Sequence, residues 1–183
     1  MAALRTFLIT CGVILFLFPV SSVRCAEPST APALPNSAED PDYHFSIRYP
    51  SSWILGKTPS STMQLLVPAP GGKGGSLMIT AYPITALPPG DLKTLEQVHD
   101  RDIRIAKAAG SNIVEEGDTK LGNMPAKVLV FSSQVKGQMR ENQSIFALKD
   151  GIVYSFSFQA SQEMYEQSAD TVRAVADSFR LAK

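Results

Sequence analysis

The sequence is poor in the residue types from which most catalytic and metal sites are built. Its 183 residues include two cysteines, Cys11 and Cys25, and two histidines, His44 and His99. A chain that begins at residue 26 therefore has no thiol for a disulfide, a nucleophile or a thiolate metal site. No Gly-x-Ser-x-Gly motif is present, which argues against a serine hydrolase of that kind. We predict a non-enzymatic protein with no catalytic, cofactor-binding or metal-binding residues and no cofactor.

An excess of charge of either sign is also missing. The chain has 17 basic and 17 acidic residues, and the part after residue 25 has 15 basic against 17 acidic residues. This balance argues against a nucleic-acid partner, since nucleic-acid binding proteins carry a basic surface. Hydrophobic residues make up 44% of the sequence, which is typical of a globular domain.

No apolar run is long enough to span a bilayer. The longest covers residues 7–20, which is 14 residues, whereas a spanning helix needs about 20. Because it follows the basic Arg5, it is typical of a signal peptide. We predict a signal peptide over 1–25, cleavage at or near Cys25, and a periplasmic or otherwise exported protein. An uncleaved anchor and a lipid anchor at Cys25 are the alternatives, and Arg24 disfavours the lipid anchor because that processing requires small residues there.

The remainder divides into a tether and one domain. Residues 26–42 are rich in Pro, Ala and Ser, which predicts a flexible tether. From residue 43 to 183, apolar alternation predicts strands, and 3.6-residue spacing predicts a helix between Asp91 as N-cap and Gly110, and another after Ser161. The predicted strands cover 43–49, 62–70, 76–84, 111–121, 124–137, 138–150 and 151–161. Short turns between them favour an α+β fold, an antiparallel β-sheet flanked by helices in an α/β/α sandwich.

Four segments in this order resemble the PsbP-like superfamily, which includes the photosystem extrinsic protein PsbP and bacterial envelope relatives such as DcrB. They are FSIRYPSSW (45–53), LGNMPAKVLVF (121–131), DGIVYSFSFQAS (150–161) and VRAVADSFRL (172–181). The resemblance implies an antiparallel sheet between helices. It also implies that the domain binds partner proteins, or metal ions as some members do, without a shared chemistry.

Four short motifs contain residue types that occur in metal, catalytic, phosphate-binding or glycosylation sites. EDPDYH (39–44) places carboxylates beside His44, and a solvated acidic linker is favoured over a metal site. In VHDRD (98–102) the spacing favours a core histidine, with Asp102 as its hydrogen-bond partner, over a catalytic pair. PGGKGGS (70–76) joins two predicted strands, so a hairpin turn is favoured over a phosphate loop. NQS at Asn142 matches the glycosylation sequon, which matters only in a eukaryotic secretory pathway.

These observations lead to two functional hypotheses. The first is an exported PsbP-like domain that acts as a protein-binding or assembly module in the bacterial envelope. The second is a periplasmic protein that binds a small molecule or a divalent metal. A concave pocket with converging polar groups favours the small molecule, and an exposed apolar patch favours the protein partner.

Overall fold

The computed structural model describes residues 32–58, 61–69, 74–88 and 90–182. The predicted signal peptide, its cleavage site at Cys25 and residues 26–31 of the predicted tether lie outside these ranges. Within them, no helix is long and apolar enough to cross a membrane.

The described residues form two antiparallel sheets and two helices. The small sheet has the order β1-β2-β10, and the large sheet has the order β3-β4-β5-β9-β8-β7-β6. A short 3-10 helix, Ile84–Ala86, follows β5. The elements are β1 (Asn36–Asp40), β2 (Phe45–Tyr49), β3 (Ile54–Thr58), β4 (Ser61–Val67), β5 (Gly75–Pro83), α1 (Leu95–Ala108), β6 (Asn112–Leu121), β7 (Met124–Val135), β8 (Gln138–Lys149), β9 (Ile152–Ser161), α2 (Gln162–Asp177) and β10 (Arg180–Leu181).

Each helix packs against a different face of the large sheet. On β7, Val128 and Val130 belong to the main core, which includes Val172 of α2. Leu129 between them belongs to a second core with Val98 of α1. Because successive side chains of a strand point to opposite faces, the apolar run in β7 is explained by cover on both sides. β7 is an interior strand and the polar β6 is an edge strand.

The segment HFSIRYPSSW contains β2 and the turn that follows it. The main chain turns after β2, where the Trp53 N–H donates to the Pro50 carbonyl over 3.1 Å. Trp53 is buried in the main core. The ring of Phe45 in β2 stacks on Phe179 after α2, with centroids 5.2 Å apart. The aromatic side chains at the start and the end of the domain therefore stabilise the same core.

Helix α1 begins later than its sequence predicts. Its N-cap is Thr94 rather than Asp91, and the Gln97 N–H donates to Thr94 Oγ1 over 3.2 Å. The Gln97 side chain accepts from the Thr94 N–H in return, which completes a capping box. The predictions at the other helix ends are confirmed: Gly110 follows the α1 C-cap with φ of 76°, and the Met164 N–H donates to the N-cap Ser161 of α2.

The tether prediction is wrong for residues 36–40. These residues form β1, which pairs with all of β2 from Asn36↔Tyr49 to Asp40↔Phe45. Ala38 and Asp40 of β1 are buried. The strand was missed because its composition is that of a linker and its single buried apolar residue is small, so local propensity did not reveal the pairing.

The antiparallel α+β prediction is confirmed. The described residues are mostly antiparallel strand with two helices. The sequence did not predict the second sheet, which is built from β1, β2 and the two-residue β10.

Candidate binding surface: a polar sheet face and an adjoining cleft

The face of the large sheet that carries α1 is only partly covered. Helix α1 packs against β6, β7 and β8. Further along the same face, Ile54, Leu66 and Met78 expose 59%, 46% and 37% of their surfaces. Ile54 pairs with Leu66, and Met78 pairs with Gln64 two residues from Leu66. Paired residues of antiparallel strands share a face, so these three side chains form one patch, which we name the apolar margin.

Uncharged polar side chains lie between this margin and α1. Strand pairing places Leu66, Ser76, Gln159 and Asn142 side by side in one row across the sheet. It places Met78, Ser157 and Ser144 in a second row. We name this group the polar floor. Its members are Gln64, Ser76, Asn142, Ser144, Ser157 and Gln159.

Hydrogen bonds between strands hold the polar floor in place. Gln159 Nε2 donates to Asn142 Oδ1 over 2.5 Å, and Asn142 Nδ2 donates to Ser133 Oγ over 3.1 Å. The hydroxyls of Ser144 and Ser157 lie 3.2 Å apart. Asn142 is 8% exposed, so the sequon asparagine is a buried member of this network. Buried amides bonded in this way keep one orientation, which gives the floor a defined pattern of donors and acceptors.

A cleft of about 510 Å³ opens between the C-terminal half of α1 and strands β7, β8 and β9. Ile105, Ala106 and Ala109 form its helix side. The sheet side combines apolar and polar residues. They are Leu129, Phe131, Val135, Phe146, Ser133, Gln134, Asn142, Ser144 and Gln159. A pocket of this size with an apolar lining and a few polar groups is typical of a small-molecule site.

Among the described residues that line this cleft, Asp102 is the one with a charged side chain. Its carboxylate accepts a hydrogen bond from Arg101 Nη1 over 2.6 Å. Burial raises the pKa of Asp102, and the Arg101 guanidinium opposes that rise. Burial also raises the pKa of Tyr82 on β5 to about 12, and the Asp102 carboxylate adds to that increase. The guanidinium therefore already neutralises the one carboxylate in the lining.

His99 is a core histidine, as the sequence favours. It is 8% exposed, and its Nε2 lies 3.0 Å from the Val128 carbonyl of β7. Because a carbonyl oxygen only accepts, Nε2 of His99 carries a proton and donates this hydrogen bond. The predicted hydrogen bond to Asp102 is absent from the described contacts, where Asp102 pairs with Arg101. His99 thus fastens α1 to the sheet.

The acidic segment 39–44 forms a hairpin turn. Oδ1 of Asp40 accepts the backbone N–H groups of Asp42 and Tyr43 over 3.1 and 2.9 Å. Asp40 Oδ2 is buried without a described hydrogen-bond partner. Among the described residues, no group of three or more His, Cys, Asp or Glu side chains could hold a metal ion. The segment is therefore part of the β1–β2 turn and not the solvated linker that the sequence favours.

The glycine-rich segment joins β4 and β5, which pair antiparallel up to Val67↔Gly75. Residues 70–73 lie outside the described ranges. A phosphate loop requires a strand followed by a helix, so the hairpin interpretation agrees with the strand pairing.

Sequence reasoning missed the polar floor, although a signal for it was present. In β9, Ser155, Ser157 and Gln159 alternate with the buried Phe156 and Phe158. A run of polar residues on one face of an interior strand indicates a stretch of the sheet that no helix covers. The members of the floor come from four strands, so only the strand pairing shows that they adjoin.

Several solved structures are similar to this chain. The solution structure of cyanobacterial PsbP (CyanoP) from Synechocystis sp. PCC 6803 has a TM-score of 0.57 at 15% identity, and the match covers 86% of this chain and 98% of CyanoP. LpqN of Mycobacterium tuberculosis, involved in cell envelope biogenesis, has a TM-score of 0.61 at 13% identity, with 81% and 90% covered. PA94 of Pseudomonas aeruginosa has a TM-score of 0.55 at 13% identity, with 75% and 91% covered.

No protein-family model and no curated protein matches the sequence. At identities of 13–15% a structural likeness shows the fold alone, because one fold hosts many functions. The chain has the PsbP-like fold.

Proposed function

We propose that this chain is an exported, non-catalytic binding domain that docks a protein partner in the bacterial envelope. In this proposal the large sheet is the central layer of an α/β/α sandwich, and its uncovered face is the docking surface. The signal-peptide pattern at the N-terminus supports export, and so does the fold shared with LpqN, an envelope-biogenesis protein.

The observation that carries the proposal is the composition of the uncovered face. Three large apolar side chains, those of Ile54, Leu66 and Met78, are exposed beside a hydrogen-bonded floor without a charged residue. Exposed apolar side chains grouped on one face mark interaction sites, and interface cores are depleted in charge. The partner segment that fits is uncharged and partly apolar, since a charge placed on this floor would lose water without gaining a counter-ion.

Capture from an envelope extract tests the docking surface. The bait is the chain from residue 26 to 183, compared with Leu66→Lys and with Leu55→Lys as the matched control. Leu66 is 46% exposed on the docking face, whereas Leu55 is 44% exposed and pairs with the buried Leu65 of the opposite face. We expect Leu66→Lys to weaken capture about tenfold or more, while Leu55→Lys retains it and both variants remain folded by circular dichroism.

Two outcomes would contradict the proposal. Equal capture by Leu66→Lys and the unchanged chain would show that the partner does not bind at this face. Loss of the partner on addition of EDTA would instead favour the divalent-metal hypothesis.

The cleft favours a second candidate function, the binding of a small molecule. Its volume of about 510 Å³ and its mixed lining are those of a concave pocket with converging polar groups, which favours a small-molecule ligand. The metal form of the same hypothesis has no supporting observation in the described residues.

A further inference from the structure

We propose that the cleft beneath α1 binds a small uncharged molecule with an apolar body and one hydrogen-bonding group. This inference rests on the second candidate function and names its class of ligand. The test of the protein-docking function does not depend on it, because that test changes Leu66 of the apolar margin, which lies outside the lining of the cleft.

The space for the ligand results from small side chains on the helix. Ala106 and Ala109 line the helix side of this cleft of about 510 Å³, and larger residues at these two positions would narrow it. Two large apolar side chains in the lining remain exposed, Ile105 at 50% and Val135 at 43%. An apolar ligand would remove both from water, which is favourable in proportion to the area buried.

The charges of the cleft exclude ions as ligands. Asp102, the charged residue in the described lining, is already paired with Arg101, so an anion would meet no unpaired basic group there. A cation would have to displace Arg101, whose Nη1 lies 2.6 Å from Asp102 Oδ1. A neutral ligand avoids both costs, since it leaves this ion pair intact and brings no charge out of water.

The hydrogen-bonding group of the ligand follows from the sheet side of the cleft. Gln159 uses Nε2 on Asn142, and an amide retains an acceptor oxygen and a second N–H after one such bond. The hydroxyls of Ser133 and Ser144 lie in the same lining. An amide or hydroxyl group on the ligand can pair with these residues while its apolar body contacts Phe131 and Phe146.

Two fluorescent probes with nearly the same aromatic skeleton test the ligand class. N-phenylnaphthylamine is neutral, and anilinonaphthalene sulfonate carries a sulfonate. We expect the chain from 26 to 183 to bind the neutral probe about tenfold or more tightly than the anionic one. Equal or tighter binding of the sulfonate overturns the ligand class but leaves a small-molecule site. If neither probe binds, both the inference and the second candidate function are overturned.

A matched pair of variants tests the location. Ala109→Trp fills the cleft from an exposed position at the end of α1, and Ala108→Trp places the same side chain on a residue outside the lining. We expect Ala109→Trp to abolish binding of the neutral probe and Ala108→Trp to retain it, with similar thermal unfolding of both. Unchanged binding by Ala109→Trp overturns the inference. Partner capture by Leu66→Lys tests only the docking proposal, and probe binding by Ala109→Trp tests only the cleft proposal. Failure of one proposal therefore does not count against the other.

Discussion

Two hairpin glycines share a backbone conformation but differ in their surroundings. Gly122, between β6 and β7, has φ of 56°, and Gly137, between β7 and β8, has φ of 79°. A Cβ on Gly122 would overlap the Phe179 carbonyl, whereas a Cβ on Gly137 would meet nothing within 4 Å. The Gly122 N–H also donates to the Ala176 carbonyl over 2.9 Å. Gly122 therefore allows the turn to pack against the end of α2.

We expect Gly122→Ala to lower the free energy of unfolding by about 3 kcal/mol or more, from positive-φ strain plus overpacking. Gly137→Ala is the matched control and should cost about 1 kcal/mol, from the backbone conformation alone. Urea unfolding of both variants measures the difference. Equal losses would show that the contact with Phe179 is unimportant.

Tyr82 makes the stability depend on alkaline pH. Burial raises its pKa from 10.0 to about 12, so the folded chain keeps a proton that the unfolded chain loses in this interval. Because the folded state then binds more protons, the free energy of unfolding falls as the pH rises from 10.0 to about 12 and is unaffected by this group below that range.

We expect Tyr82→Phe to reduce this alkaline loss. Burial also raises the pKa of Tyr154 and Tyr165, so part of the dependence remains. Urea unfolding across the same pH range measures the slope. An identical slope in Tyr82→Phe and the unchanged chain would assign the whole effect to other groups.

At the scale of the element, the start of α1 shows how a local motif is decided. Asp91 and Thr94 are both good N-cap residues. Only Thr94 has a glutamine three residues later, and the reciprocal bonds between Thr94 and Gln97 are present. The capping-box motif is therefore present in the sequence, and it indicates the helix start that the structure shows.

We expect Thr94→Ala to lower the free energy of unfolding by about 1 kcal/mol, because a helix N–H loses its acceptor. Asp91→Ala should have almost no effect, since the helix does not begin there. Thermal or urea unfolding compares the two. A larger effect of Asp91→Ala would contradict the position of the cap.

At the scale of the whole molecule, the domain begins before residue 43. Strand β1 covers one side of β2, and β10 pairs with the other side at Ser46 and Phe45. The Ala182 N–H donates to the His44 carbonyl over 2.7 Å. Segments near both ends of the domain are therefore joined through β2.

We expect a chain that begins at residue 43 to unfold at a temperature lower by about 5 °C or more than one that begins at residue 32. The shorter chain loses the strand that contains the buried Ala38 and Asp40. Calorimetry of the two chains measures the change. Equal unfolding temperatures would show that residues 36–42 do not stabilise the domain, as expected of a tether.

Local patterns in the sequence were sufficient for the interior strands of the large sheet and for the second helix. The apolar run of β7 and the alternation of β9 are set by the period of a strand, which a single segment displays. The hairpin at Asp150 and Gly151, both with positive φ, depends on two adjacent residues. These features were predictable because their causes lie within a few residues of each other.

The tertiary structure alone decided the second sheet and the binding surface. Strand β1 exists because β2 offers it a partner, and its own composition is that of a linker. The polar floor joins Gln64 and Ser76 to Asn142 and Gln159, which are far apart in the chain. The cleft depends on where Ala106 of α1 and its C-cap residue Ala109 lie relative to the sheet. Pairing between distant strands and the cover given by a helix are long-range properties, so no local period encodes them.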